Sequence, residues 1–251
     1  MRLSWAANKE KIFGVEILLR ILSQVFGYDR FREGQDKVIR ALMEGRSSLV
    51  IFPTGGGKSL CYQLPALSLD GITLVISPLI ALMKDQVDRL NHLGVAAARL
   101  DSTLEPAEIE AIHRQLEQNE LKLLYIAPER LANERFRQRL KRLPIALAAI
   151  DEAHCISEWG HNFRPDYLKL AKILRALKVP RILALTATAT PKVARDIRKH
   201  FRIAAEDHVQ LSFHRPNLDL RVTPCTAGER KQFLLDRLRV TQGAAEVYVT
   251  R

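Results

Sequence analysis

Short, almost continuously apolar segments recur along the chain, and each has about the length of one buried strand. They are SLVIF, ITLVI, LKLLYI, IALAAI and RILAL, which end at Phe52, Ile76, Ile126, Ile150 and Leu185. Strands that alternate apolar and polar residues bury one face, whereas continuous apolar runs bury both. The pattern therefore predicts a mostly parallel sheet with helices on both faces.

Longer amphipathic segments lie between these runs and keep the spacing of a helix that buries one side. One set of apolar positions comprises Val38, Ile39, Leu42 and Met43, and another comprises Ile80, Met83, Val87 and Leu90. Strands that alternate with helices indicate an α/β fold with right-handed crossovers. A last helical segment is predicted at 229–240, after a stretch with two prolines and no clear core pattern.

The charge of the chain narrows the class of partner. The formal net charge of +11 favours a polyanion such as nucleic acid, although a merely solubilising basic surface is an open alternative. The cysteines Cys61, Cys155 and Cys225 form no CxxC pair, which predicts a reducing compartment and no structural zinc. The sequence has no signal peptide and no run of ~18 apolar residues, so no membrane association is expected.

A glycine-rich stretch, PTGGGKS at residues 53–59, follows the first apolar run and precedes a helix. Such a loop turns tightly and directs backbone N–H groups at phosphate oxygens, and the helix N-terminus adds the positive end of a dipole. Lys58 would reach the outer phosphates, and the Ser59 hydroxyl would bind Mg²⁺. Phe52 breaks the strict GxxxxGK[ST] pattern, and the alternative is a chance glycine turn. The predicted nucleotide contacts in this loop are Thr54, Gly55, Gly56, Gly57, Lys58 and Ser59.

The sequence DEAH at 151–154 directly follows the apolar run that ends at Ile150. Ligands of open α/β sheets bind beyond the carboxyl ends of strands, and PTGGGKS, SPL, APER, DEAH and TATAT all begin near such ends. Asp151 is placed to hold Mg²⁺, directly or through water, and Glu152 to orient and deprotonate an attacking water. The alternative for two adjacent acids is simple solvation. The predicted catalytic residues are Lys58, Asp151 and Glu152.

These motifs together resemble superfamily 2 helicases, and their details resemble the RecQ family of DNA helicases over residues 26–217. The stretch FGYDRFREGQ, at 26–35, looks like the adenine-recognition motif of that family. The resemblance implies that Tyr28 and Arg32 stack on the base or flank it. Gln35 carries a donor and an acceptor on one amide, so it can pair with adenine N7 and N6 together. Taken alone, the stretch is also typical of an aromatic helix cap.

The stretch SEWGHNFRPDY, at 157–167, resembles the aromatic-rich loop through which RecQ proteins sense single-stranded DNA. Trp159 and Phe163 can stack on unpaired bases, each contributing ~1–3 kcal/mol, and Arg164 can bind phosphate or a base. The resemblance also places His161 in this DNA-coupling loop. The alternative is that the aromatic rings fill a core.

The stretch LTATAT, at 185–190, resembles helicase motif III. The resemblance implies that Thr186 and Thr188 link the catalytic acids to the DNA side, and a helix cap ahead of Pro191 is a compatible alternative. The stretches SPLIALMKDQ and YIAPERL resemble further nucleic-acid motifs of the family. Their expected contacts, to the DNA backbone or within a side-chain network, are Ser77, Lys84 and Arg130.

The resemblance also implies a division of the chain into three segments. Residues 1–25 are expected to form an N-terminal helical lead-in, and residues 26–218 the first RecA-like helicase lobe, a P-loop NTPase fold that binds ATP. Residues 219–251 are expected to form a linker and the start of a second lobe. SFHRPNL, at 212–218, resembles the end of the first lobe, and VYVTR, at 247–251, the first strand of the second.

The function implied by the resemblance is ATP-dependent unwinding of DNA in the 3′–5′ direction, with ATP, Mg²⁺ and single-stranded or tailed duplex DNA. Full activity would require a second RecA-like lobe, so this chain alone is expected to bind ATP and single-stranded DNA without unwinding. DNA-repair proteins are further expected partners, in the cytoplasm and nucleoid of a bacterium or in the nucleus of a eukaryote. Two alternatives stay open: an RNA helicase of the DEAD-box type, and a non-catalytic module that binds ATP or DNA.

Overall fold

The computed structural model describes residues 4–159, 163–212 and 221–248, with side chains described from residue 15 onward. Seven parallel strands in these ranges form one sheet. They are β1 (Ser48–Ile51), β2 (Ile72–Ile76), β3 (Ala97–Leu100), β4 (Leu123–Ile126), β5 (Ile145–Ile150), β6 (Ile182–Thr186) and β7 (His208–Gln210). Their order across the sheet is β3-β4-β2-β5-β6-β1-β7, and parallel neighbours of this kind need crossover connections.

Helices pack on both faces of the sheet. They are α1 (Ser4–Phe26), α2 (Gln35–Met43), α3 (Leu60–Ser68), α4 (Ile80–His92), α5 (Pro106–Glu117), α6 (Glu134–Leu140), α7 (Pro165–Ala176) and α8 (Pro191–Phe201), with 3₁₀ helices at Pro128–Ala132 and Ala153–Ile156. Leu49 and Ile51 of β1 belong to one apolar cluster, whereas Val50 between them belongs to the other. Both faces of the sheet are therefore buried, which confirms the predicted α/β, RecA-like architecture.

The five predicted strands are confirmed as β1, β2, β4, β5 and β6, whereas the apolar pattern misses β3 and β7 at the two edges. β3 contains Arg99, whose guanidinium pairs with Asp101. β7 contains only three residues, of which His208 and Gln210 are polar. Edge strands bury less surface, so polar residues interrupt the apolar run on which the prediction depends.

The second half of α1 belongs to the core of the first compact unit, Met1–Phe213. Leu18, Leu22 and Phe26 are buried, and they join the apolar cluster that α2 and α3 also line. These three residues are four apart, so they form one stripe along the helix. The predicted lobe begins at residue 26, whereas the structure includes this stripe of α1 in the packed unit.

The second unit, His214–Arg251, contains helix α9 (Arg230–Val240), none of whose residues is buried. Val247 and Tyr248 form no strand, and the rest of the predicted VYVTR strand lies outside the described residues. The predicted division after residue 218 and nearly all of the SFHRPNL stretch also lie outside them. In the described part of the chain, no helix combines the length and the hydrophobicity needed to cross a membrane.

The turn before β2 offers a test of how closely the chain packs at the amino ends of the strands. Gly71 has a φ of +108°, and a Cβ there would overlap the carbonyl oxygen of Pro144. Gly94 also has a positive φ, +74°, but no atom lies within 4 Å of its Cβ position. Gly94→Ala should therefore cost only the left-handed backbone, about 1–2 kcal/mol, and Gly71→Ala clearly more. Urea denaturation of both variants measures the difference, and equal losses would contradict the overlap.

Candidate nucleotide-binding and catalytic site

The glycine-rich loop connects β1 to α3 and ends at Ser59, directly before the helix. Lys58 Nζ donates a hydrogen bond to the carbonyl oxygen of Phe52 at 3.0 Å. Burial lowers the pKa of Lys58, while the charges of Asp151 and Glu152 act in the opposite direction. The Lys58 ammonium therefore lies within electrostatic range of both predicted catalytic acids.

The predicted adenine motif is joined to the phosphate loop by side-chain hydrogen bonds to the backbone. Gln35 is 1% exposed; its Nε2 donates to Gly57 O at 2.9 Å, and its Oε1 accepts from Arg32 N at 2.8 Å. Arg32 Nη1 donates to Gly55 O at 2.6 Å. Gly57 has a φ of +79°, and a Cβ there would overlap Gln35 Nε2, so this turn and this contact both need glycine. The two motifs therefore hold one another in place.

A pocket of about 360 Å³ contains parts of both motifs. The predicted nucleotide contacts on its wall are Tyr28, Arg32, Gln35, Gly55, Gly57, Lys58 and Ser59. Thr54 and Gly56 belong to the same loop but do not line the pocket. Gln86 and Arg89 of α4 do line it, and Arg89 Nη2 lies 3.4 Å from Tyr28 OH. Sequence reasoning missed these two residues, because polar residues on the outer face of an amphipathic helix resemble ordinary solvated ones.

Asp151 follows β5 and is anchored through its backbone. Its N–H donates to Ile76 O at 2.8 Å, and its carbonyl oxygen accepts from Tyr167 OH at 2.9 Å. Ser77 Oγ donates to Asp151 Oδ2 at 3.3 Å, so the buried Ser77 belongs to the side-chain network around the acids. Burial and, after it, the charge of Glu152 raise the pKa of Asp151. A nearby cation would favour its ionised form, as expected of a metal ligand.

Glu152 adopts a left-handed backbone conformation, with φ 48° and ψ 41°. This conformation costs a residue other than glycine on the order of 1–3 kcal/mol. The Glu152 carboxylate lies 3.1 Å from His154 Nδ1. The hydrogen bond from His154 lowers the pKa of Glu152. Glu152 is therefore the acid of the pair that stays ionised most readily and can accept a proton.

His154 connects the acids to the TATAT motif, a role that the sequence analysis did not assign. Its Nδ1 lies 2.9 Å from Thr186 Oγ1, which in turn donates to Thr188 O at 3.0 Å. Hydrogen bonds with the Cys155 sulfur and with Glu152 raise the pKa of His154 to about 9. The imidazole is therefore protonated at neutral pH, and its single Nδ1–H is shared between Glu152 and Thr186. His154 is the last residue of the DEAH sequence, but no local pattern indicated that its partner is Thr186, 32 positions away.

The two aromatic residues of the predicted DNA-coupling loop lie at the surface. Trp159 is 65% exposed and Phe163 is 37% exposed, so the alternative in which they fill a core is wrong. Arg164 Nη1 lies 4.0 Å from Glu129 Oε1 at an exposed position. His161 lies outside the described residues. The described rings are therefore accessible to a stacking partner.

Other predicted contacts have different surroundings. Thr190 makes the helix cap at the start of α8, since its Oγ1 accepts a backbone hydrogen bond from the first turn at 3.3 Å. The two earlier threonines of the motif are therefore not the cap. Arg130 Nη2 donates to the carbonyl oxygen of Asp101 at 3.0 Å, whereas Lys84 is exposed on α4. Arg130 thus stabilises the turn after β3 in this structure.

A parallel sheet whose first strand leads into a phosphate loop, with paired acids after β5, which is separated from β1 by β6, defines a P-loop NTPase of the RecA-like class. The matching family model makes this class specific: the chain belongs to the DEAD/DEAH box helicase family, which matches residues 32–197. That range contains the phosphate loop, the DEAH sequence, the aromatic stretch and the TATAT motif.

Curated relatives resemble the chain in more detail. The ATP-dependent DNA helicase RecQ of Bacillus subtilis is 49% identical over 218 residues, which are 86% of this chain and 36% of that protein. The protein of the same name from Haemophilus influenzae is 45% identical over 208 residues, which are 83% of this chain and 34% of that protein. The predicted resemblance to RecQ helicases is confirmed, and the chain spans about a third of the length of these relatives.

A solved structure shows the same fold at lower sequence similarity. The hypothetical ATP-dependent RNA helicase from Sulfolobus tokodaii has a TM-score of 0.58, with 78% of this chain and 57% of that chain covered. The two sequences are 22% identical, so the likeness concerns the fold alone. It agrees with the RecA-like lobe that the sheet and the helices form.

Titration of His154 tests its ion pair with Glu152. Glu152→Gln removes a charge that raises the pKa of His154, so this pKa should fall from about 9 toward the ordinary 6.5. Because the folded-state pKa is the higher one, the pair stabilises the fold below about pH 6.5, and this contribution is lost as the pH rises through 9. Imidazole NMR in Mg²⁺-free buffer measures the pKa, and His154→Gln assigns the signal. An unchanged pKa in Glu152→Gln would contradict the ion pair.

Proposed function

We propose that the chain is the ATP-binding first lobe of an ATP-dependent DNA helicase of the RecQ type, which in the intact parent unwinds DNA in the 3′–5′ direction. The observation that carries the proposal is the pocket in which Tyr28, Arg32 and Gln35 meet the phosphate loop. The relatives from Bacillus subtilis and Haemophilus influenzae, both named ATP-dependent DNA helicases, support the same function. The net charge of +11 suits a polyanionic partner.

In this proposal the adenine base of ATP binds on the Gln35 side of this pocket. A primary amide has two N–H donors and an oxygen with two lone pairs, and Gln35 uses one of each on Gly57 and Arg32. The remaining donor and acceptor match N7 and N6 of adenine, whereas guanine offers an oxygen where adenine offers its amino group. Tyr28 supplies an aromatic face beside the base. These contacts favour ATP over GTP.

The phosphate end of the site fits Mg²⁺. In this proposal its oxygen donors would be the Ser59 hydroxyl and the Asp151 carboxylate, a set that hard cations prefer. Burial disfavours the ionised form of Asp151, and a cation beside this carboxylate would offset that cost. Lys58 belongs to the loop proposed to cradle the outer phosphates, and its Nζ donates a hydrogen bond to the carbonyl oxygen of Phe52. When bound, Mg²⁺ neutralises charge on the phosphate oxygens.

Hydrolysis is assigned to the carboxylate of Glu152. Its hydrogen bond with His154 favours the ionised form, which accepts a proton from the attacking water. The water oxygen then bonds to the γ-phosphorus while the bond between that phosphorus and the bridging oxygen of the β-phosphate breaks. Lys58 stabilises the charge on the phosphate oxygens. His154 holds the carboxylate of Glu152 and also contacts the hydroxyl of Thr186.

Coupling to DNA is assigned to the exposed rings of Trp159 and Phe163. Unpaired bases stack on such rings without regard to sequence. The 3₁₀ helix Ala153–Ile156 connects Glu152 to this aromatic stretch, so a base bound there acts on the backbone that follows the catalytic acid. The contact of His154 with Thr186 gives a second connection from the acids to the neighbouring strand end.

Rapid turnover and unwinding, in this proposal, need a second RecA-like lobe. The described residues are proposed to contact adenine, phosphate and metal, and an arginine added by a second lobe contributes about 10³–10⁵ in rate in related phosphoryl transfers. Two lobes that grip the strand alternately would also provide the step along it. This chain alone should therefore bind nucleotide and single-stranded DNA but unwind nothing. We also propose that the intact protein acts on single-stranded or tailed duplex DNA together with DNA-repair proteins, in the cytoplasm and nucleoid of a bacterium or in the nucleus of a eukaryote.

Calorimetry with ATP·Mg²⁺ and GTP·Mg²⁺ tests the nucleotide site. Gly57→Ala places a Cβ on Gln35 Nε2, so it should weaken ATP binding by roughly tenfold, with a smaller effect on GTP. Gly55→Ala is the matched control, because Gly55 has the same φ of +79° but no atom within 4 Å of its Cβ position. Lys58→Ala should weaken both nucleotides alike. An equal loss of affinity for ATP and for GTP in Gly57→Ala would contradict the reading of the base by Gln35.

Anisotropy of labelled oligonucleotides tests the assignment of the aromatic residues. Trp159→Ala should weaken binding of oligo-dT by roughly tenfold, since it removes one stacking platform. Tyr28→Ala is the control, because Tyr28 is also a partly exposed aromatic residue but lines the nucleotide pocket. Equal affinities of Trp159→Ala and the unchanged chain would contradict the role of the ring. Tighter binding of oligo-rU than of oligo-dT would favour the RNA helicase alternative.

A further inference from the structure

Lys192 of α8 covers one face of the Trp159 ring. Its Nζ lies 3.0 Å from the ring centroid, which is a cation–π contact. Trp159 is nevertheless 65% exposed, so much of the indole remains open to solvent. The contact connects α8 to the segment that follows the catalytic acids.

The place of Lys192 within α8 is electrostatically unfavourable. Thr190 caps the helix and Pro191 begins it, so Lys192 is its second residue. The N-terminus of a helix carries partial positive charge, which disfavours a cation there, and the first turn of α8 contains no acidic residue to compensate. The cation–π contact with the ring of Trp159 offsets part of this cost.

A second contact fixes the same segment to α8 independently of the ring. The buried Ser157 donates from Oγ to Asp196 Oδ2 at 2.7 Å, and the same Oγ accepts from Trp159 N at 3.3 Å. Asp196 lies four residues after Lys192, one turn further along the same face of the helix. The backbone and the ring of Trp159 are thus attached to α8 at two points one turn apart.

We propose that Lys192 is a positioning residue for single-stranded DNA. Its ammonium holds the Trp159 ring against α8 with one face covered, and an unpaired base stacks on the open face. The proposal rests on the DNA-coupling function assigned above to the aromatic stretch. A ring that is held before the strand arrives has less conformational entropy to lose on binding. Removal of Lys192 should therefore weaken DNA binding although the ring itself remains.

Helix α8, which carries Lys192, also begins close in sequence to Thr186, which belongs to a side-chain network with Glu152 and His154. Thr190, its cap, comes two residues after Thr188, and Thr188 accepts the hydrogen bond of Thr186. Thr186 is the partner of His154. A base stacked on Trp159 would therefore be connected to α8 through one side chain of that helix, Lys192.

Trp159 fluorescence in the DNA-free chain tests the contact itself. Trp5→Phe leaves Trp159 as the single tryptophan of the two in the sequence. In this background Lys192→Ala should raise the acrylamide quenching constant of Trp159, because the covered face becomes accessible. Lys192→Arg should keep the lower value, since a guanidinium also stacks on an indole. Lys199→Ala removes the same charge from the last turn of α8 and should leave the constant unchanged.

Titration of the same variants with oligo-dT tests the consequence for binding. Lys192→Ala should lose roughly two- to fivefold in affinity, Lys199→Ala clearly less at the same ionic strength, and Lys192→Arg should bind nearly as the unchanged chain. An unchanged quenching constant in Lys192→Ala, or equal losses of affinity in Lys192→Ala and Lys199→Ala, would overturn the role of Lys192 while leaving DNA binding intact. Failure of the unchanged chain to bind oligo-dT at low salt would overturn the proposed function, and the role of Lys192 with it.

Discussion

The register of the central parallel strands decides whether this site exists. Ile76 of β2 pairs with Ile150 of β5, and Ile51 of β1 pairs with Thr186 of β6. Because Ile150 pairs with Ala184, the carboxyl ends of these strands lie within two residues of one another. The polar segment after each strand therefore arrives at the same edge of the sheet, although the segments are far apart in sequence. A slip of one residue would turn every side chain of a strand to the opposite face and remove its motif from the site.

At that edge, the adjacent acids Asp151 and Glu152 have pKa values shifted in opposite directions, because their neighbours differ. Burial and the charge of Glu152 raise the pKa of Asp151, whereas the hydrogen bond from His154 lowers the pKa of Glu152. Neighbouring carboxyl groups whose pKa values are moved apart can take different roles. Asp151 gains from a cation beside it, and Glu152 is ionised and ready to accept a proton. The positive charge of Lys58 lies close enough to favour the ionised form of both.

The features that could be predicted from the sequence are those that depend on residues close together along the chain. Continuous apolar runs predicted the central strands, and polar motifs directly after them predicted the phosphate loop and the acids. The partner of His154 and the contact of Lys192 with Trp159 could not be predicted, because each joins residues more than thirty positions apart. The short edge strands were missed for another reason, since His208 and similar polar residues interrupt the apolar pattern there.

Two residues of the site contradict their own local preferences. Glu152 has a left-handed backbone, which side chains other than glycine disfavour, and Lys192 places a cation at the positive end of a helix. In each case the compensating contact comes from another residue of the site: His154 binds the carboxylate of Glu152, and Trp159 receives the ammonium of Lys192. Local conflicts that are resolved only by such neighbours are typical of functional sites. A ligand that moves Trp159 would therefore alter the energy of α8, and α8 follows directly on the threonines that position His154.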